Sequence, residues 1–115
     1  MFKSIDTTAD AAEKGLSEVQ KEFDHYQKKF FPERSPEFFC LELNGEAGEL
    51  ANIEKKQWKG RVILQERFED EAADVAIALM NYANSRSIDL GKAVKEKLLK
   101  IEKKRLELKA DGLEF

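Results

Sequence analysis

Glu46 and Glu49 stand three residues apart in the run GEAGEL, and Glu71 and Asp74 repeat that spacing in EAAD. Three residues advance a helix by about 300°, so each pair projects from one face within a turn. Like charges that close repel. No lysine or arginine occupies positions 47, 48, 72 or 73, and the neighbours Gly45, Ala47, Gly48, Ala72 and Ala73 are all small. Small residues let two helices, or a helix and a ligand, approach closely. If the two pairs face each other, four carboxylates converge in one pocket. Such a cluster is unfavourable unless cations neutralise it, and an all-oxygen donor set favours Mg²⁺ or Mn²⁺. Two glycines inside a helix cost about 1 kcal/mol each relative to alanine, a cost that making room for such a site would explain. One E-x-x-E pair alone reads as solvated surface. Two pairs on consecutive helices, each set among apolar and small residues, raise the metal reading to equal standing. A di-iron bundle would show E-x-x-H twice, and the only histidine, His25, is not placed that way.

The elements that must position these groups read as helices. Ser17 to Gln20 resembles a capping box for a helix over about 17–30, with Val19, Phe23, Tyr26 and Phe30 as its core-facing stripe. Residues 1–15 are small and polar, with Gly15 as a break, and read as a loose lead-in or a short helix. Ser35 followed by Pro36 starts a long second helix that runs to Gly60, a C-terminal cap. A third covers about 65–85, its apolar face formed by Phe68, Ala72, Val75, Ala76, Leu79, Met80 and Ala83. Asp89 is the candidate N-cap of a fourth, about 90–109, ended near Gly112. Four helices with short connections predict an all-α four-helix bundle, and Ala/Gly-rich helices in so short a chain suggest one completed by oligomerisation.

Composition narrows the class. The 115 residues fit one domain, residues 1–115, with one modest core. A net charge of −3 with both signs interspersed points to neither nucleic acid nor a membrane surface. No apolar run approaches the roughly 18 residues that span a bilayer. MFKSIDTTAD lacks the apolar segment of a signal peptide, and the single Cys40 suits a reducing compartment, so a cytoplasmic location is expected.

LELNGEAGELANIEKK followed by FEDEAADVAIALMNYANSRSIDLGKAVKEKLLKIEKKR resembles the MazG-like all-α nucleoside triphosphate pyrophosphohydrolases, over about residues 35–105. Dimeric dUTPases, dCTP pyrophosphatases and phosphoribosyl-ATP pyrophosphohydrolases belong to the same superfamily. The resemblance implies a MazG-like bundle, assembled as a homodimer or homotetramer. It implies Mg²⁺, with Mn²⁺ as a substitute, held by Glu46, Glu49, Glu71 and Asp74. Glu46 or Glu49 would orient or deprotonate the attacking water. Asn81, on the face of Asp74, would hydrogen-bond substrate, and Lys97 and Arg105 would meet phosphate oxygens. The family usually places an asparagine four residues after that lysine; Ile101 stands there in this chain. The implied reaction cleaves a (deoxy)nucleoside triphosphate to a monophosphate and pyrophosphate, in house-cleaning of the nucleotide pool. The alternatives are hydrolysis of phosphoribosyl-ATP, whose Ser/Thr/Gly-rich leading segment is not seen, and a non-catalytic helical oligomer that binds a protein partner.

Trp58 reads either as a base-stacking residue or as a core or dimer contact. Lys55, Lys56, Lys59 and Arg61 read as a phosphate-steering loop or, more plainly, as favourable charge at a helix C-terminus. Phe38 and Phe39 are adjacent, so only one of them faces the core. His25 reads as an ordinary histidine and Cys40 as a small apolar filler. The stretch KEKLLKIEKKRLELK alternates lysine with glutamate and reads as a solvated helix face.

Overall fold

A computed structural model describes residues 4–114. The chain is all-α, with helices α1 (Ile5–Phe30), α2 (Pro36–Trp58), α3 (Gln65–Ser85) and α4 (Leu90–Ala110) and no strand among the described residues. It divides into two compact units. One comprises α4 and α1 up to His25; the other holds residues 26–87, including α2 and α3.

The start and stop signals of α2 and α4 act as their residue types predict. The Ser35 side chain accepts a hydrogen bond from the Phe38 amide and Pro36 opens α2. Gly60, at φ 101°, takes the left-handed conformation that follows the end of α2. Asp89 Oδ1 accepts from the Lys92 amide at 3.1 Å and caps α4. Gly112, at φ 75°, follows the end of α4, its amide bonded to the Lys109 carbonyl.

α1 departs from expectation. It begins at Ile5 and continues through Gly15, so residues 5–15 are helix rather than a lead-in and Gly15 breaks nothing; residues 1–3 lie outside the described residues. Ser17 and Gln20 form no capping box, because both belong to the middle of the helix. Ser17 Oγ donates to Asp89 Oδ1 at 2.5 Å. The buried Gln20 carboxamide donates to the Ile88 carbonyl at 2.6 Å and accepts from the Leu90 amide at 2.8 Å. The α1 face turned inward is Ala9, Glu13, Leu16, Gln20, Phe23 and Gln27, whereas Val19, Tyr26 and Phe30 of the expected stripe are exposed. Gly91 completes this unit. A Cβ there would overlap the Glu13 carbonyl oxygen and Ser17 Oγ, so α1 and α4 approach more closely than any side chain allows.

In the other unit α2 and α3 pack against each other, antiparallel across the short connection 59–64. The α2 face that meets α3 is Phe39, Leu43, Glu46, Leu50 and Ile53, spaced by four, three, four and three. Phe39 and Ile53 are buried while Phe38 remains exposed. On α3 the facing stripe is Phe68, Glu71, Val75, Ala78 and Tyr82. Ala72 and Ala76, expected on that apolar face, are exposed. Each stripe therefore carries a glutamate where packing alone calls for an apolar side chain.

Candidate metal centre

Glu46 and Glu71 cannot avoid each other, because each occupies an interior position of a stripe packed on the other helix. Carboxylate oxygens of Glu46, Glu49 and Glu71 all lie within 4.8 Å of one another. A second group, Asp70, Glu71 and Asp74, meets the same limit, so Glu71 belongs to both. Glu46, Glu71 and Asp74 are half-buried; Glu49 and Asp70 are exposed. The two pairs expected from the E-x-x-E and E-x-x-D spacings thus meet through Glu71 alone, and Asp74 belongs to the second group but not to the first. Asp70 is the addition. Its signal in the sequence was adjacency to Glu71, masked by the general abundance of exposed acids.

The electrostatics are those of a site that lacks positive charge. One oxygen each of Glu46 and Glu71 (Oε2 in both) has under 1 Å² of accessible surface and no hydrogen-bond partner. No ion pair among the described residues involves any of the five acids. Desolvation first, then the charges of Glu49, Asp74 and Glu71, raise the Glu46 carboxyl above its ordinary pKa of 4.5. Glu71 is raised likewise, by desolvation and then by Glu49. These groups hold their charge reluctantly. The donors are all hard oxygens, drawn from two rigid helices, with orphaned lone pairs in the interior. That set fits a divalent ion of the Mg²⁺, Mn²⁺ or Ca²⁺ kind and lacks the imidazole or thiolate that softer metals prefer.

The remaining candidates divide by position. Asn81 follows Asp74 by seven residues on the same α3 face and is 8% exposed, with no side-chain hydrogen bond among the described residues. Trp58 is 88% exposed and lines an open hollow with Ala51, Glu54, Lys55 and Gln57. It follows Glu49 by nine residues, about 900° of helix, and so points half a turn away from that carboxylate. α2 therefore does not bring Trp58 to the acids. Lys97 and Arg105 lie on α4 in the other unit, both exposed, and Arg105 Nε donates to Glu102 Oε1 at 2.5 Å. Among the described residues, nothing lies within 4 Å of where a Cβ would stand at Gly45 or Gly48. Cys40 is exposed rather than a filler of the core.

The fold and site define an all-α chain with a paired-carboxylate centre between two antiparallel helices. Compared with family models, with curated proteins and with solved structures, it matches none.

Proposed function

We propose that this chain is a Mg²⁺-dependent nucleotide pyrophosphohydrolase of the MazG-like type, acting on (deoxy)nucleoside triphosphates as a homodimer or homotetramer. One observation carries the reading: Glu46 and Glu71 each have a solvent-shielded carboxylate oxygen without a partner, and they share a cluster with Glu49, while Asp74 joins Glu71 in a second. An uncompensated cluster at that place weakens the helix pair, so its use lies in what it binds. Glu46, Glu49, Glu71 and Asp74 would hold the ion, with Asp70 beside them. A bound divalent ion supplies charge neutralisation for a polyphosphate and lowers the pKa of a coordinated water.

The residues themselves divide the work. Glu49, the exposed member of the cluster, would orient a water and take its proton. Glu46 and Glu71, held on the packed faces, fix the geometry of the acidic wall. Asn81, buried without a partner, offers a carboxamide donor and acceptor to the sugar or base of a nucleotide. Binding selects negatively charged phosphates only after the acids are neutralised, so substrate and metal bind together.

The test is pyrophosphate release from a panel of ribo- and deoxynucleoside triphosphates, with Mg²⁺ and with EDTA. Release that needs the metal and falls at least about 10²-fold in Glu49→Gln is the expected result. No release from any nucleotide by folded, metal-supplied protein overturns the assignment.

A further inference from the structure

The turn between α2 and α3 concentrates one sign of charge. Lys55, Lys56, Lys59 and Arg61 lie within KKQWKGRVIL, residues 55–64, which contains no acid. The chain's net charge is −3, so everything outside that segment sums to −7. The overall balance therefore conceals a local excess of four cations. None of the four enters an ion pair among the described residues. Glu54 and Glu66, the nearest acids in sequence, stand just outside the segment.

Apolar side chains stand in the same place. Trp58 is 88% exposed, Val62 92% and Leu64 65%. Ile63, between the two aliphatics, is half-buried, so the chain seats one of the three and leaves its neighbours in water. Gly60, left-handed at φ 101°, reverses the chain between Trp58 and Val62. Since α2 and α3 are antiparallel, this turn is one end of the pair, and the Arg86–Glu37 ion pair marks the other. Three large apolar groups between positions 58 and 64 form a patch, unlike an apolar side chain exposed singly.

Whatever covers this patch must suit both halves of it. A free anion would meet the cations and leave Trp58, Val62 and Leu64 in water. A nucleic-acid strand would add stacking on one ring, but Val62 and Leu64 have nothing to offer a phosphate or a sugar. A lipid surface suits both. Cations sit among anionic headgroups, tryptophan favours the interfacial layer, and aliphatic side chains reach the acyl boundary. We infer that the α2–α3 turn docks on an anionic bilayer surface, with Trp58, Val62 and Leu64 inserted and Lys55, Lys56, Lys59 and Arg61 on the headgroups. No described helix is long and apolar enough to cross a membrane, so the attachment is peripheral. With so few inserted groups it is also reversible. No residue of the turn belongs to the carboxylate centre, so this docking and the proposed hydrolysis stand or fall separately.

Trp58 is the chain's only tryptophan, so its emission reports on the turn directly. The full chain is titrated, in EDTA, with vesicles of phosphatidylcholine alone and of phosphatidylcholine mixed with phosphatidylserine. A blue shift of Trp58 and co-sedimentation with the mixed vesicles only, both weakened by added salt, are expected. The double variant Lys59→Glu, Arg61→Glu is expected to bind at least about tenfold more weakly, and Val62→Ser several-fold, each with the parent's circular dichroism. Should the double variant fail to fold, Val62→Ser carries the test, because its side chain already stands in water. Inorganic pyrophosphate and a single-stranded oligonucleotide, added in place of vesicles, are expected to leave the emission unmoved. A shift with either overturns the inference. So does a shift that follows protein concentration without lipid, which would assign the turn to a second copy. A parent that ignores the mixed vesicles, binds both kinds alike, or is matched by its variants overturns it as well.

Discussion

Glu71 and Glu46 sit on the packed faces of two helices and carry charge there at a cost. Their raised pKa values fix the sign of a pH effect. A carboxyl whose folded pKa exceeds its ordinary value binds a proton more readily in the folded state than in the unfolded state. Stability of the metal-free chain therefore falls as pH rises from the ordinary carboxylate range through the raised value, and the penalty is complete above it. Asp89 acts in the opposite sense. The Ser17 hydroxyl, then the Lys92 amide, lower it below its ordinary 3.8, so its contribution is present above that value and lost as pH falls through the folded one. Glu71→Gln removes one of the two penalties while leaving Asp89 untouched. In EDTA at neutral pH the variant is expected to melt higher than the parent, and to gain less on mild acidification. Added Mg²⁺ or Mn²⁺ is expected to raise the parent's melting temperature and leave the variant's nearly still, since a ligand that binds only the folded form stabilises it. Thermal melts at a series of pH values, with metal and with chelator, check all three; a variant that melts below the parent in EDTA would show that the carboxylate is stabilising and the centre misread.

At the scale of elements, the sequence announced most of what it contains. Pro36, Ser35, Gly60, Asp89 and Gly112 mark boundaries by local chemistry, and local chemistry survives folding. The carboxylate spacings were legible for the same reason, because a helix fixes the direction of residues three apart. α1 was misread because Gln20 and Ser17 look like capping residues and instead bond the α3–α4 connection, a long-range use that no local pattern reveals. Trp58 was ambiguous because its place around the helix depends on counting from the correct face. The glycines separate in the same way. Gly91→Ala forces a methyl group into the Glu13 backbone and the Ser17 side chain, and is expected to destabilise by about 2 kcal/mol. Gly48→Ala meets nothing within 4 Å and replaces a poor helix former, so it is expected to stabilise by about 0.5–1 kcal/mol. Urea unfolding of the two variants checks the contrast; the expectation fails if their signs agree.

The whole molecule buries little for its length. Among the described residues the buried apolar side chains are Ala9, Phe39, Ile53, Ala78 and Ala83, and no large side chain is fully buried. Leu41, Phe30, Trp58, Val62 and Leu64 all stand well exposed instead. Polar devices hold what the apolar core does not: the Gln20 carboxamide clamp, the Ser17–Asp89 hydrogen bond, and Lys95 paired with Asp10 at 2.9 Å and with Glu13 at 3.6 Å. Exposed pairs of that kind contribute about 0–1 kcal/mol each and do not replace a core. The proposed assembly would then be part of folding. If folded chains associate while unfolded ones do not, mass action links the melting temperature to concentration. For a folded dimer, each tenfold rise in protein adds RT ln 10, about 1.4 kcal/mol per mole of dimer, and moves the midpoint up by a few degrees. Calorimetric melts over a hundredfold range of concentration measure this directly. A rising midpoint is the expected result. A midpoint that ignores concentration would mean that the chain is stable alone, and that the exposed leucines, valine and tryptophan cost it nothing that a second copy must repair.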